Sequence, residues 1–276
     1  MHDNKTQIID ISKKIWELKE PSTQEFKSAA LLEDALEKQG FNVTRGLKGI
    51  DPFDTQECDI PTGFIATFEK IKGGPTIGIM LEYDALGMGH ACGHNLIAAS
   101  GFAAALALKD ALETTPGKLV VLGTPAEEWG GPGRTQMLKG GNFAGIDAVL
   151  ITHPGDKWNT DSEVLAIGWP RGETMTFKGV AAHASSDPEK GVSALDAAML
   201  FGFGVDMLRE HMIDGSRIHY CIMDGGQVPN IVPDNVKMDI YVRTKDTAYL
   251  YELMDKIDKI AQGAALATGT TVEYAW

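Results

Sequence analysis

Residues 76–112 read TIGIMLEYDALGMGHACGHNLIAASGFAAALALKDAL. The segment begins as a short apolar strand, Thr76–Glu82, and passes through a glycine-rich turn. It continues over 95–112 as a helix that is apolar nearly all round, which predicts a helix deep inside the fold. Working outward, KLVVLGT (118–124) and DAVLIT (147–152) read as further buried strands, with a short helix over 133–142 between them. Phe64–Glu69 alternates in part, as a strand does. Upstream, residues 5–40 read as two helices: one carries Ile8, Ile11, Ile15 and Leu18, and the second runs through PSTQEFKSAALLEDALEKQG to Gly40. Apolar strands alternating with helices predict an α/β layer fold with a mostly parallel sheet.

The pattern changes after about residue 166. The remainder reads strand 173–179, helix 193–212, strands 217–223 and 236–244, helix 247–264 and strand 270–275. That βαββαβ order is the ferredoxin-like unit. The turn residues GWPRG place a boundary near 166–171, so the expected domains are 1–168 and 169–276. A chain of 276 residues has room for two domains.

Charge and cysteine content exclude several function classes. With 25 Lys and Arg against 38 Asp and Glu, the net charge is −13. Nucleic acid and anionic membranes need a positive surface, so neither is an expected partner. No uninterrupted apolar run reaches about 18 residues, and the start MHDNKTQIIDISKK has no basic-then-apolar leader pattern. Cys58, Cys92 and Cys221 are widely spaced and do not form a disulfide framework. The expected compartment is the reducing cytoplasm.

Chemistry-bearing residues follow the buried strands. Asp84, Cys92 and His94 come after the first; thiolate and imidazole two residues apart can turn toward one borderline metal ion, or can be a buried cysteine beside a capping histidine. Glu127 and Glu128, in PAEEWGG, follow the second. Adjacent carboxylates repel unless one meets a cation or holds a proton, so one suits a metal and the other a general base; a solvated loop tip is the plain alternative. His153 follows the third. Three strand ends bringing Cys/His, Glu/Glu and His to one edge outweigh any one of them alone. In the second domain His183 follows the first strand, in GVAAHASSDP. Asn230 and Arg243 are further polar candidates, and an Arg can hold a carboxylate bidentately. Trp129 is a candidate wall of the cleft.

At these residues the sequence resembles the M20 metallopeptidase family, in its amidohydrolase branch. EYDAL, GHACGHN, PAEEWGGPGRTQML, THPG, AHASSDP, SALDA and PNIVPDNVKMDIYVR carry the resemblance in order along nearly the whole chain. It implies a zinc-peptidase-like catalytic domain with a ferredoxin-like lid and dimerisation domain. It implies a two-metal site (zinc or manganese, with cobalt as a substitute) held by Cys92, His94, Glu128 and His153, with Asp84 orienting a ligand. It implies that Glu127 activates water, that His183 holds the oxyanion, and that Asn230 and Arg243 contact substrate. The implied reaction cleaves the amide of an N-acyl amino acid, an aminobenzoyl-glutamate-like compound or a small dipeptide, in a homodimer formed through the lid. The sequence departs from the family at Gly87, where a proline usually follows the DAL motif. The family also returns to its catalytic domain after the lid with a last metal-binding histidine, and no histidine follows His219 here. The alternative reading is therefore a truncated or noncatalytic metal-binding or dimerisation subunit of an amidohydrolase.

Overall fold

The computed structural model describes residues 4–52, 55–128, 132–156, 166–168 and 174–276. Trp129 and most of the GWPRG turn lie outside the described residues. The chain forms two compact units, Met1–Trp158 and Asn159–Trp276.

The first unit is a mixed sheet between helical layers. Helices α1 (Lys5–Leu18) and α2 (Phe26–Lys38) precede strands β1 (Asn42–Ile50), β2 (Glu57–Phe68) and β3 (Thr76–Leu81). Then come α3 (His94–Leu112), β4 (Lys118–Gly123), α4 (Pro132–Lys139) and β5 (Ala148–Leu150). The strand order is β1-β2-β4-β3-β5. Strands β4, β3 and β5 are parallel, whereas β1 with β2 and β2 with β4 are antiparallel. The sheet is thus mixed, not mostly parallel, because β1 and β2 form a hairpin that joins its edge.

Strand β4 is buried on both faces. Leu119 and Val121 join Ile79, Leu81 and the helix residues Ile11, Ile15, Leu32, Leu36 and Phe102 in one core. Val120 and Leu122 meet Leu47, Ile60 and Met137 of α4 in another. Helix α3 is long and apolar enough by length and composition to cross a membrane. Its buried residues Ile97, Ala98, Phe102 and Ala105 belong to the unit's interior. It approaches β3 through Gly101, where a Cβ would come within 2.2 Å of Leu81 Cδ2.

Two readings of single strands need revision. Residues 42–50, not read as a strand, form β1, with a register shift between Arg45 and Leu47 at Gly46. Strand β5, expected to be buried, is an edge strand whose three residues are exposed, with β3 as its partner among the described residues.

The second unit contains β6 (Ala166–Gly168), β7 (Met175–Lys178), α5 (Ala194–Arg209), β8 (Arg217–Asp224), β9 (Asn235–Thr244), α6 (Thr247–Thr268) and β10 (Thr271–Glu273). Its sheet is antiparallel. One edge of β9 pairs with β8, and the other is shared by β7 and β6. The order β10-β7-β9-β8 is the ferredoxin-like arrangement expected from the element order. Strand β6, which the sequence reading grouped with the first domain, pairs within this unit. Phe177, Phe201, Val205, Met238, Ile240, Leu253 and Ile257 fill the interior under α5 and α6. Ser193 and Asp246 cap the two helices by accepting backbone N–H bonds, as short polar side chains do at N-caps.

Candidate metal centre

Parallel register decides where the reactive residues emerge. Leu81, the last residue of β3, pairs with Gly123, the last of β4, and Ile79 pairs with Leu150, the last of β5. The loops carrying Glu82–His94, Glu127–Glu128 and His153 therefore leave the sheet side by side, at the edge where α/β sheets hold ligands.

His94 is the hub. It is fully buried, and its Nδ1–H donates to Asp84 Oδ1 at 2.8 Å. That bond fixes the tautomer and leaves the Nε2 lone pair facing the cluster. Nε2 has no hydrogen-bond partner although it is buried. Around it stand Glu127 Oε2 at 3.6 Å, Glu128 Oε1 at 3.6 Å and Glu82 Oε2 at 3.9 Å. Glu128 Oε1 is likewise buried and unpartnered. On another side, Cys92 Sγ lies 3.3 Å from His153 Nε2, and the imidazoles of His94 and His153 meet edge to face, 6.3 Å apart.

The surroundings hold these groups in place. Asp84 is fully buried; its Oδ2 accepts from the Ser22 hydroxyl at 2.7 Å and from Glu128 N–H at 2.9 Å. Arg134 on α4 donates to Glu82 Oε1 at 2.8 Å and to Glu127 Oε1 at 3.4 Å. Helix α4 begins against the Glu127 loop: a Cβ at Gly133 would lie 2.1 Å from the Pro125 carbonyl oxygen.

The electrostatics describe a cluster short of a cation. Burial, offset in part by Arg134 and reinforced by Glu127, pushes the Glu82 carboxyl up to about 7. Burial and the neighbouring Glu128 charge push the Cys92 thiol up to about 11. Burial also raises Glu128. Burial alone would lower His94, but the Asp84 bond and the charges of Asp84, Glu82 and Glu128 outweigh it and raise it. Burial would raise Asp84, yet the bonds from His94, Ser22 and Glu128 N–H hold it below the usual range.

The donor set suits a divalent metal. Within Cys92/His94/His153, and again within Glu82/His94/Glu127, one donor atom from each residue lies within 4.8 Å of the others. Thiolate, imidazole and carboxylate are ligands for zinc and similar borderline ions. Two buried lone-pair atoms without partners are costly unless something electropositive sits between them.

Of the residues singled out from sequence, Asp84, Cys92, His94, Glu127, Glu128 and His153 come together in the first unit. In the second, His183 and Asn230 lie on neighbouring segments: His183 bridges to Ile231, and Ala184 N–H donates to the Asn230 carbonyl at 2.9 Å. The His183 Nδ1 accepts N–H bonds from Ser185 and Ser186, which leaves an Nε2–H on an exposed ring. Arg243 lies near the far end of β9, directly opposite Arg217 of β8 and 5.8 Å over the Tyr241 ring. Eight residues of strand, roughly 26 Å, separate it from Asn235, where β9 begins beside the His183 loop.

Sequence reasoning passed over Glu82 and Arg134. The first had a signal, since residues 82 and 84 share one side of an extended strand end. Arg134 carried only the weak signal of a lone cation after an acidic pair.

The chain is similar to known proteins over most of its length. Residues 171–268 match the family model of the peptidase dimerisation domain. The chain is 38% identical over 289 residues to one of the two subunits of the p-aminobenzoyl-glutamate hydrolase of Escherichia coli (strain K12), covering 96% of this chain and 56% of that protein. It is 40% identical over 224 residues to Xaa-Arg dipeptidase of Mus musculus, covering 78% of this chain and 51% of that protein. It thus spans about half the length of the curated relatives it matches. Its fold is shared with an aminobenzoyl-glutamate utilization protein from Klebsiella pneumoniae (TM-score 0.69, 20% identity, 99% of this chain and 76% of that one). It is also shared with a dinuclear metal-binding peptidase of the M20 family from Bacillus subtilis (TM-score 0.63, 22% identity, 98% and 73%). Over most of its length the chain is similar to these peptidases and amide hydrolases, and its residues 171–268 match the M20 peptidase dimerisation domain.

Proposed function

We propose that the protein is a metal-dependent amidohydrolase that cleaves the amide bond of an N-acyl amino acid, an aminobenzoyl-glutamate-like compound or a small dipeptide. One observation carries the reading: His94 Nε2 and Glu128 Oε1, both buried and unpartnered, face each other at 3.6 Å beside Glu127. Cys92, His94, Glu128 and His153 would hold two divalent ions, zinc or manganese, with cobalt as a substitute. Such ions polarise a carbonyl and make water acidic enough to attack at neutral pH.

Glu127 is the base in this proposal. Its Oε1 is turned toward Arg134, so Oε2 is the atom facing the cluster, 3.6 Å from His94 Nε2. Oε2 takes a proton from the attacking water and returns it to the leaving amine nitrogen. Its half-exposed side chain leaves room for substrate. His183, with Nε2–H as donor, is proposed to stabilise the oxyanion and Asn230 to contact substrate; Arg243, at the far end of β9 from both, is proposed to contact substrate bound by the other copy of the homodimer. The proposed assembly is a homodimer through residues 171–268. The proposed compartment is the cytoplasm, because Cys92 serves as a ligand only while reduced.

Glu127→Gln is the test. It keeps shape and ligand positions but cannot take a proton. Hydrolysis of N-acyl amino acids, p-aminobenzoyl-glutamate and dipeptides should fall by about 10²–10⁴-fold with bound metal unchanged. Full turnover in the variant would rule out Glu127 as the base.

A further inference from the structure

Segment 19–25, between α1 and α2, is remote in sequence from the Glu127 loop yet reaches it through one side chain. Glu25 is fully buried. Its Oε1 accepts N–H bonds from Thr23 and Ala126, both at 2.8 Å, and its Oε2 accepts the Thr62 hydroxyl at 3.1 Å. Thr23 and Ala126 have φ of 67° and 58°, two of the four non-glycine residues with positive φ among the described residues. A single carboxylate oxygen therefore holds two backbone segments in the left-handed region, which side chains with a Cβ rarely adopt. Ala126 directly precedes Glu127 and Glu128. The neighbouring Ser22 donates to Asp84 Oδ2, the same oxygen that accepts Glu128 N–H. Ser22 and Thr23 also line a cavity of about 360 Å³ with Pro21, Leu86 and Glu128.

We propose that Glu25 is a positioning residue: its carboxylate fixes the left-handed turn at Ala126 that aims Glu127 and Glu128 at His94 Nε2, and the same oxygen sets the rim of the adjoining cavity. It touches neither substrate nor metal. Without it, the Ala126 amide loses its acceptor and the turn relaxes toward ordinary backbone angles, swinging both carboxylates out of line. This inference rests on reading the cluster as a metal centre.

The test uses cobalt(II) titration followed by absorbance, with hydrogen–deuterium exchange on the metal-free protein. Glu25→Ala should weaken cobalt binding by about 10–100-fold, the usual cost of losing an outer-shell support, and alter the cobalt spectrum. Exchange of the Ala126, Glu127 and Glu128 amides should accelerate while β4 stays protected. Glu25→Gln should stay near the wild-type value, since its carbonyl oxygen accepts both N–H groups and its amide can donate to Thr62. Adding Ala126→Gly to Glu25→Ala should recover part of the affinity, because glycine takes a positive φ freely. A general loss of packing would not be rescued that way.

A folded Glu25→Ala variant with unchanged cobalt affinity and unchanged exchange overturns the proposal, as does a Gln variant as damaged as the Ala one. If the alanine variant does not fold, Glu25→Asp, which keeps the charge but is one methylene shorter, is read by the same criteria. A wild-type chain that takes up no cobalt would sink the metal-centre reading instead, and exchange of the Ala126, Glu127 and Glu128 amides would still decide the role of Glu25.

Discussion

At the scale of single residues, His94 shows how a buried imidazole becomes a ligand. Asp84 accepts a hydrogen bond from its Nδ1–H, and the ring is left with a lone pair at Nε2 aimed at three carboxylates. Asp84→Asn offers an amide that can present N–H where a carboxylate oxygen stood, so tautomer control is lost. Zinc affinity measured by competition with a chelator should fall by about 10–100-fold. A second consequence concerns pH. In the metal-free protein Glu82 keeps its proton to about 7, against an ordinary carboxyl at 4.5. The folded state therefore binds the proton more tightly than the unfolded chain. Glu82's contribution to stability is full below about 4.5 and is lost as pH rises through about 7. Urea midpoints of the metal-free protein should decline across that window through this group, and Glu82→Gln should flatten the decline. A slope unaffected by the variant would remove Glu82 as its source. Cys92, Glu127, Glu128 and His153 were legible in the sequence because each follows an apolar strand. Glu25 was not: its partner Ala126 is 101 residues away, and nothing local announces a bond over that separation.

At the scale of elements, legibility tracked burial. Strand β4 is apolar on both faces because it is covered on both, and sequence pattern reports that directly; helix α3 is apolar nearly all round yet buries only part of its surface, with Leu96, Ser100 and Ala104 exposed. Strand β1 was missed because NVTRGLKGI is largely exposed and interrupted by Gly46 and Gly49, so neither alternation nor an apolar run shows. DAVLIT was over-read: its composition is that of a covered strand, but β5 lies at the sheet edge with Leu150 61% exposed. Helix α4 was found, but not its task of setting Arg134 against Glu82 and Glu127. That task depends on close approach at Gly133. A Gly133→Ala methyl would strike the Pro125 carbonyl, a backbone atom that cannot rotate away. We expect a loss of about 1–3 kcal/mol in thermal or denaturant unfolding, together with weaker metal binding as the Glu127 loop shifts. Gly141, where a Cβ would meet nothing, is the contrasting site for space, although its φ of 80° also disfavours alanine.

At the scale of the molecule, two units with separate cores divide the labour. The first gathers thiol, imidazole and carboxylates at one sheet edge; the second carries the dimerisation domain and an exposed His183 with an Nε2–H to donate. The division into an α/β unit and a ferredoxin-like unit could be read from the change in strand and helix order. The antiparallel part of the first sheet could not, since it depends on which edge a hairpin joins. The central claim is that the Cys92–His94–Glu128–His153 cluster is a metal centre. Elemental analysis of the purified chain, beside a Cys92→Ala/His94→Ala variant, tests it most directly. The account predicts about two divalent ions per chain in the wild type, as in two-metal hydrolytic sites, and their loss in the folded variant. A wild-type chain without metal, or metal retained equally by the variant, would contradict it.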